Sequence, residues 1–264
     1  MDLRLQGKVA IVTGASKGIG LAITRALASE GVRVVAAARE TGGALADLSA
    51  TATVTPVAVD LGTADGADRL VAAARDFGGL DILVNNVGAL APRLAGFLSV
   101  SDEQWWASWN INLMTAVRTT RAALPLMLER GSGTIVTISS VNAFLPDPAI
   151  IDYTTAKAAL TNFSKALSKE VGPKGIRVNT VSPGPVETPL WLGPQGLAAT
   201  VAKAAGVDPE TARQQIVQSQ GGFATGRFTH PDEVADLVLL LASDRAGNVT
   251  GADFVIDGGL IKTL

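Results

Sequence analysis

The 264-residue sequence predicts an α/β fold: one doubly wound parallel sheet, flanked by helices on both faces, forming a single domain over residues 1–264. Three observations predict it. Short apolar runs alternate with helix-length amphipathic stretches, the pattern of strands that pair in parallel through helical crossovers. The runs are almost continuously apolar, as strands covered on both faces must be. They close in Gly, Asn, Ser or Asp, which places polar groups at the carboxyl ends of the strands, where open α/β sheets bind ligands.

The first strand, residues 9–12, runs into Thr13-Gly14-Ala15-Ser16-Lys17-Gly18-Ile19-Gly20. Leu21, Ile23, Leu27 and Ala28 then recur at helical spacing. Residues 32–38, apolar except for Arg33, form the second strand and complete a βαβ unit. Residues 54–59 read as a strand and 64–77 as a helix, and the strand at 80–84 closes in Asn85-Asn86-Val87-Gly88. One long helix is expected over 102–130. A strand at 134–138 ends in Ser139-Ser140, and a helix covers 152–171. The strand at 177–181 ends in Ser182-Pro183-Gly184-Pro185, and the last, at 253–256, in Asp257-Gly258-Gly259. A further helix starts after His230, at Pro231-Asp232-Glu233, which gives that histidine a structural place in a loop. Residues 188–228 break the rhythm, since about 40 residues are long for a connection. They read either as a surface insertion with short helices of its own or as a mobile lid over a substrate.

Composition narrows the classes. Hydrophobic residues make up 47% and charged residues 17%, so a sizeable, mostly aliphatic core is available. The net charge of −2, without basic runs, argues against nucleic acid as a partner. With no cysteine and one histidine, disulfides are excluded and no metal site is expected. The first residues lack the apolar stretch of a signal peptide, and no run is long enough to span a bilayer, so a cytoplasmic protein without membrane contact is expected.

Gly14, Gly18 and Gly20 follow a strand and open a helix, so the backbone can turn sharply and present helix N–H groups to a pyrophosphate. About twenty residues on, where an NAD site usually carries an acid for the ribose, the chain reads Ala37-Ala38-Arg39-Glu40. A guanidinium there suits a 2′-phosphate, and Lys17 adds a second positive charge. NADP(H) is therefore favoured. NAD(H) stays open because Glu40, one residue later, could still reach a ribose.

Tyr153, the only tyrosine, is followed four residues later by Lys157, which puts both on one helix face. A phenol is a poor base at neutral pH, and a nearby ammonium favours its phenolate. Ser139-Ser140 ends the preceding strand and could hydrogen-bond a substrate oxygen. Asn112 sits inside the expected long helix without a propensity reason to be there.

These motifs together resemble the short-chain dehydrogenase/reductase family, a Rossmann-like fold, with its NADP-dependent carbonyl and ketoacyl reductases as the nearest type. The resemblance rests on Thr13-Gly14-x-x-x-Gly18-x-Gly20, Asp60-Leu61, Asn85-Asn86-Val87-Gly88, Asn112, Ser140, Tyr153-x-x-x-Lys157 and Pro183-Gly184-Pro185-Val186-x-Thr188, in that order. It implies hydride exchange between NADP(H) and a carbonyl/secondary alcohol pair, with Tyr153 as acid/base and Ser140 orienting the substrate oxygen. Lys157 would hold the nicotinamide ribose, and Asn112 would anchor a proton-relaying water. Gly14, Ser16, Lys17, Gly18, Ile19 and Gly20 would cradle the phosphates. Arg39 would hold the 2′-phosphate, Asp60 and Leu61 the adenine, and Asn86, Val87 and Gly88 the adenosine side of the cleft. Pro183, Gly184, Val186 and Thr188 would fix the carboxamide. Val87 departs from the family's usual alanine and removes no reacting group.

The substrate wall is expected from Leu90, Ser140, Val141, Asn142, Phe144, Leu145, Tyr153, Pro185, Trp191 and Leu192, an apolar set suited to a neutral, fairly hydrophobic ketone or alcohol. Trp105, Trp106 and Trp109 read as core or subunit packing, and the family resemblance implies a homo-oligomer, tetramer or dimer, through helices 102–130 and 152–171. The alternatives are an NAD-dependent alcohol dehydrogenase, a dehydratase or epimerase on the same fold, and a non-catalytic NADP-sensing module.

Overall fold

The computed structural model describes residues 2–219 and 221–263. Seven strands, β1 (Val9–Thr13), β2 (Arg33–Ala38), β3 (Val54–Ala58), β4 (Ile82–Asn85), β5 (Gly133–Ile138), β6 (Ile176–Pro183) and β7 (Asp253–Ile256), form one sheet in the order β3-β2-β1-β4-β5-β6-β7. Every pairing is parallel. Each strand lies within two residues of its sequence expectation.

Period-two alternation divides the apolar residues between two cores. Ala10 and Val12 of β1 face one, with Ile23, Leu27, Val234 and Val238. Val9 and Ile11 face the other, with Leu70, Leu83, Ala123 and Met127. The first core is closed by helices α1 (Gly18–Ser29) and α10 (Pro231–Ala242), which pack together, and the second by α3 (Gly66–Arg75) and α5 (Thr115–Arg130). Strands covered on both faces can afford no polar alternation, which is why they read as apolar runs. Fully exposed residues within the strands occur on the edge strands β3 and β7, and Pro56 sits on edge strand β3, where a missing N–H costs no ladder bond.

The chain order reverses between β1 and β4, which opens a crevice at their carboxyl ends. Two expectations need correction. The long helix over 102–130 is interrupted: α4 (Asp102–Trp109) passes through one π-helical turn, Asn110–Met114, before α5 begins. Helix α2 (Ala44–Thr51) occupies a stretch for which no element was expected. Helix α6 (Ile151–Val171) matches its expected bounds to one residue. Segment 188–228 contains three helices, α7 (Pro189–Leu192), α8 (Leu197–Ala205) and α9 (Pro209–Ser219). Trp191 and Phe223 each meet Phe228 edge-on, at 5.4 and 5.2 Å, and tie the two ends of the segment together. No helix among the described residues is long and apolar enough to cross a membrane.

Candidate active site

At the end of β1 the chain turns through Gly14 (φ +68°) and Gly18 (φ +56°), both in the left-handed region that glycine tolerates. Gly20 is small for a different reason: a Cβ there would lie 2.1 Å from the Gly14 carbonyl oxygen. Thr13 and Asn86 staple this turn to β4. The Thr13 hydroxyl accepts from the N–H groups of Asn86 (2.8 Å) and Val87 (3.2 Å) and donates to the Val84 carbonyl. The Asn86 amide donates back to the carbonyls of Thr13 (2.9 Å) and Gly14 (3.2 Å). Helix α1 starts at Lys17 with no side-chain cap, so its first-turn N–H groups remain available to an anion.

From this turn a cleft of about 970 Å³ runs both ways along the strand ends. Toward β2 and β3 it is bounded by Arg39, Asp60 and Leu61. Lys17 and Arg39 are both exposed and line the cleft; among the described residues neither forms an ion pair. Glu40, exposed, does not line it. Asp60 accepts from the Gly62 N–H at 2.8 Å, and the Asn110 amide of the π-turn holds the Gly62 carbonyl at 3.0 Å. Toward β5 and β6 the cleft passes Gly88, Tyr153, Lys157, Pro183, Gly184, Val186 and Thr188. All the positions expected to touch a dinucleotide, from Gly14 to Thr188, lie along this one cleft. Its length, the uncapped helix end and the two unpaired cations fit such a group.

The reactive groups converge at the middle of the sheet. Ser140, buried just past β5, accepts from the Asn142 N–H at 3.2 Å, donates to Asn142 Oδ1 at 3.3 Å and lies beside the Tyr153 hydroxyl. Lys157, 3% exposed, donates to the Ile138 carbonyl at 2.8 Å and lies 5.7 Å from the centre of the Tyr153 ring. Burial lowers the Lys157 pKa to about 8. Burial also holds the Tyr153 phenol above its ordinary value, and the neighbouring Ser140 hydroxyl opposes that rise. Ser139 also lines the cleft, with its hydroxyl 2.6 Å from that of Thr161.

Asn112 is fully buried and does not line the cleft. Its amide donates to the carbonyls of Ala89 (2.8 Å) and Ser108 (3.0 Å), and its Oδ1 accepts from the Ala89 N–H (3.0 Å). The side chain therefore ties the loop after β4 to the π-turn instead of presenting a free polar group to the cleft. A Cβ on Gly88 would lie 3.1 Å from Asn112 Oδ1 and 3.4 Å from Lys157 Nζ, so glycine lets these two groups approach.

The substrate half departs from expectation in its details. Leu90, Val141, Asn142, Pro185 and Trp191 line the cleft as expected. Phe144, Leu145 and Leu192 do not: Phe144 is 46% exposed, and Leu192, at the end of α7, is 48% exposed. Missed by the sequence reading were Leu94, Asp147, Ile150, Gln195, Ile216 and Ser219, contributed by the β4 loop, the approach to α6 and helices α7–α9. Helical spacing within 188–228 could have offered Ile216; nothing local singles out Asp147 or Gln195. His230 pairs with Glu187 at 3.0 Å outside the cleft, consistent with a structural place. Trp109 packs α4 on α6 through a bond to Thr155, whereas Trp106 is 72% exposed. Among the described residues no cluster could hold a metal ion.

Comparison with known proteins agrees with this geometry. The short chain dehydrogenase family pattern matches residues 8–193. D-threitol dehydrogenase of Mycolicibacterium smegmatis is 37% identical, over 98% of this chain and 94% of its own. A 3-oxoacyl-acyl-carrier-protein reductase of Thermotoga maritima is 34% identical, over 98% and 100%. The crystal structure of L-sorbose reductase from Gluconobacter frateurii, complexed with NADPH and L-sorbose, superposes with a TM-score of 0.91 at 38% identity, covering 100% of both chains. A doubly wound Rossmann-like sheet carrying these motifs, and this family match over most of its length, establish that the chain belongs to the short chain dehydrogenase family of oxidoreductases.

Proposed function

We propose that the protein is an NADP(H)-dependent oxidoreductase of a carbonyl/secondary alcohol pair, with Tyr153 as its acid/base. The observation that carries this reading is one cleft lined at its centre by Ser140, Tyr153 and buried Lys157 and at its far end by unpaired Arg39 and Lys17. The NADPH bound by the sorbose reductase supports the cofactor assignment.

When bound, the nicotinamide donates or accepts the hydride. The protein's own part is proton transfer and charge stabilisation. In reduction the Tyr153 hydroxyl gives its proton to the substrate oxygen as charge develops there, and Ser140 donates a hydrogen bond to the same oxygen. Lys157, with a pKa of about 8, is mostly charged near neutrality and stabilises the phenolate left behind. A phenol held high by burial suits the acid role; oxidation of the alcohol needs the phenolate and so gains with rising pH. Arg39 and Lys17 grip the 2′-phosphate. Asn112 contributes by holding Ala89 against the π-turn. Segment 188–228 acts as the lid.

The apolar walls Leu90, Leu94, Val141, Ile150 and Trp191 support a neutral, fairly hydrophobic ketone or alcohol. Asn142, Asp147, Gln195 and Ser219 favour a second reading, a small polyhydroxylated ketose or sugar alcohol, and Asp147 disfavours anions. The relatives named for threitol and sorbose support it. The enzyme is expected to work in the cytoplasm as a homo-oligomer, to which the exposed Trp106 contributes.

Titration with NADPH and NADH, followed by fluorescence, tests the cofactor. NADPH preference that collapses in Arg39→Ala supports the phosphate clamp. Equal or tighter NADH binding removes it and points to an NAD-dependent alcohol dehydrogenase. A panel of apolar ketones and ketoses, with their alcohols, then separates the two substrate readings.

A further inference from the structure

We infer that Arg93 is a positioning residue for the reaction: by clamping the loop after β4 onto the first turn of α6, it sets where Tyr153 meets the substrate. This rests on Tyr153 being the acid/base. Arg93 grips with both backbone and side chain. Its N–H donates to the Ala149 carbonyl at 2.6 Å. Its Nε lies 3.2 Å from each oxygen of Asp152, and its Nη2 lies 2.5 Å from Oδ2. Asp152, the residue before Tyr153, is 2% exposed, and Arg93 14%.

Both clamped segments are walls of the cleft. Leu90, Pro92 and Leu94 come from one, and Asp147, Ala149 and Ile150 from the other. Fifty-nine residues separate the two partners, so their local turns cannot set the gap between them. Removing both charges from water offsets most of their attraction, so a buried ion pair adds little stability and is better explained by what it fixes. The forked contact suits that purpose, because a guanidinium holds a carboxylate in one orientation and an ammonium does not.

The test exploits the single tyrosine, whose phenolate absorbance titrates without interference from another phenol. Arg93→Met alone strands a buried carboxylate, so the informative variants are R93M/D152L, which removes one charge of each sign, and Arg93→Lys, which keeps the charges and loses the fork. The ionisable groups around Tyr153 are Lys157 on α6, the Arg93–Asp152 pair, and Asp147 before the helix. The double variant leaves net charge unchanged, so a shift in the titration reports geometry. Expected are a Tyr153 transition moved to higher pH as the phenol and the Ser140 hydroxyl move apart, and a kcat lower by about 10- to 100-fold. NADPH affinity should stay near wild type, and Arg93→Lys should fall between. Wild-type kcat and an unmoved Tyr153 transition in both variants would overturn the proposal. Tyr153→Phe, run alongside, separates the two readings. Turnover surviving it removes the acid/base assignment and the clamp's role with it; turnover lost there but kept in R93M/D152L removes the clamp alone.

Discussion

Replacing Lys157 with methionine is expected to abolish efficient turnover and yet leave the cofactor-free fold at least as stable near pH 7. The lysine is 3% exposed, and burial lowers its pKa from 10.5 to about 8. That difference, about 2.5 units, corresponds to a cost of about 3 kcal/mol for keeping the ammonium charged inside the protein. Methionine removes this cost but leaves the Ile138 carbonyl, now bound at 2.8 Å, without its donor, a loss of about 1–3 kcal/mol. The net gain at pH 7 is therefore about 0–2 kcal/mol. The pH dependence is more diagnostic than the sum. Because the folded pKa is lowered, the unfolded chain carries more protons between about pH 8 and 10.5, and wild-type stability rises with pH across that window. Below it the penalty is complete; above it the penalty is gone. K157M lacks this dependence, so its advantage should shrink by about 2–3 kcal/mol between pH 7 and 10 and end as a disadvantage. Urea unfolding of both proteins at equal concentration measures the difference, in which other titrating groups cancel. A difference that stays constant from pH 7 to 10 would refute the reasoning, because Lys157 would then not be held with a lowered pKa.

Two other outcomes are expected. The phenolate absorbance of Tyr153 should titrate above the ordinary range for tyrosine, and Ser140→Ala should move it higher still, since the Ser140 hydroxyl opposes the effect of burial; a downward move in S140A would reverse the assignment. Gly20→Ala should cost about 1–3 kcal/mol or more in chemical unfolding and weaken NADPH binding, because its Cβ would meet the Gly14 carbonyl at 2.1 Å and Asn86 Nδ2 at 2.5 Å; unchanged affinity would show that the turn does not hold the phosphates.

The parts of the molecule written in periodicity were legible, and the parts written in loop paths were not. Strands such as β1 and β5 are covered on both faces, so their apolar runs stand out, and the glycine turn follows from the sharp bend between β1 and α1. The Tyr153–Lys157 pair was legible because one helical turn fixes their relation whatever the rest of the chain does. Asn112 was noticed, but its task was not, since a π-turn leaves no distinct apolar period and its partner Ala89 lies 23 residues away. The substrate wall failed in the same way. Phe144 and Leu192 are apolar and close in sequence to lining residues, yet their side chains are left exposed, whereas Asp147 and Gln195 enter the cleft from segments whose direction depends on tertiary packing.

Features that oppose stability concentrate around Gly88 and the start of α6. Lys157 is buried with its pKa lowered, Asp152 is buried beside Arg93, and the helix carrying Asn112 passes through a π-turn where an α-helix would be the easier path. Near the opposite ends of the strands, Lys8 with Asp244 and Arg130 with Asp81 form surface pairs of ordinary kind. A fold that needed only to be stable would spread such costs or avoid them. Here they share a physical result: each holds the β4 loop, α6 or the π-turn in a fixed relation to the Tyr153 hydroxyl. If that relation is what they serve, substitutions that relax any one of them should lower kcat more than they lower stability, and Lys157→Met is the case in which the two effects should have opposite signs.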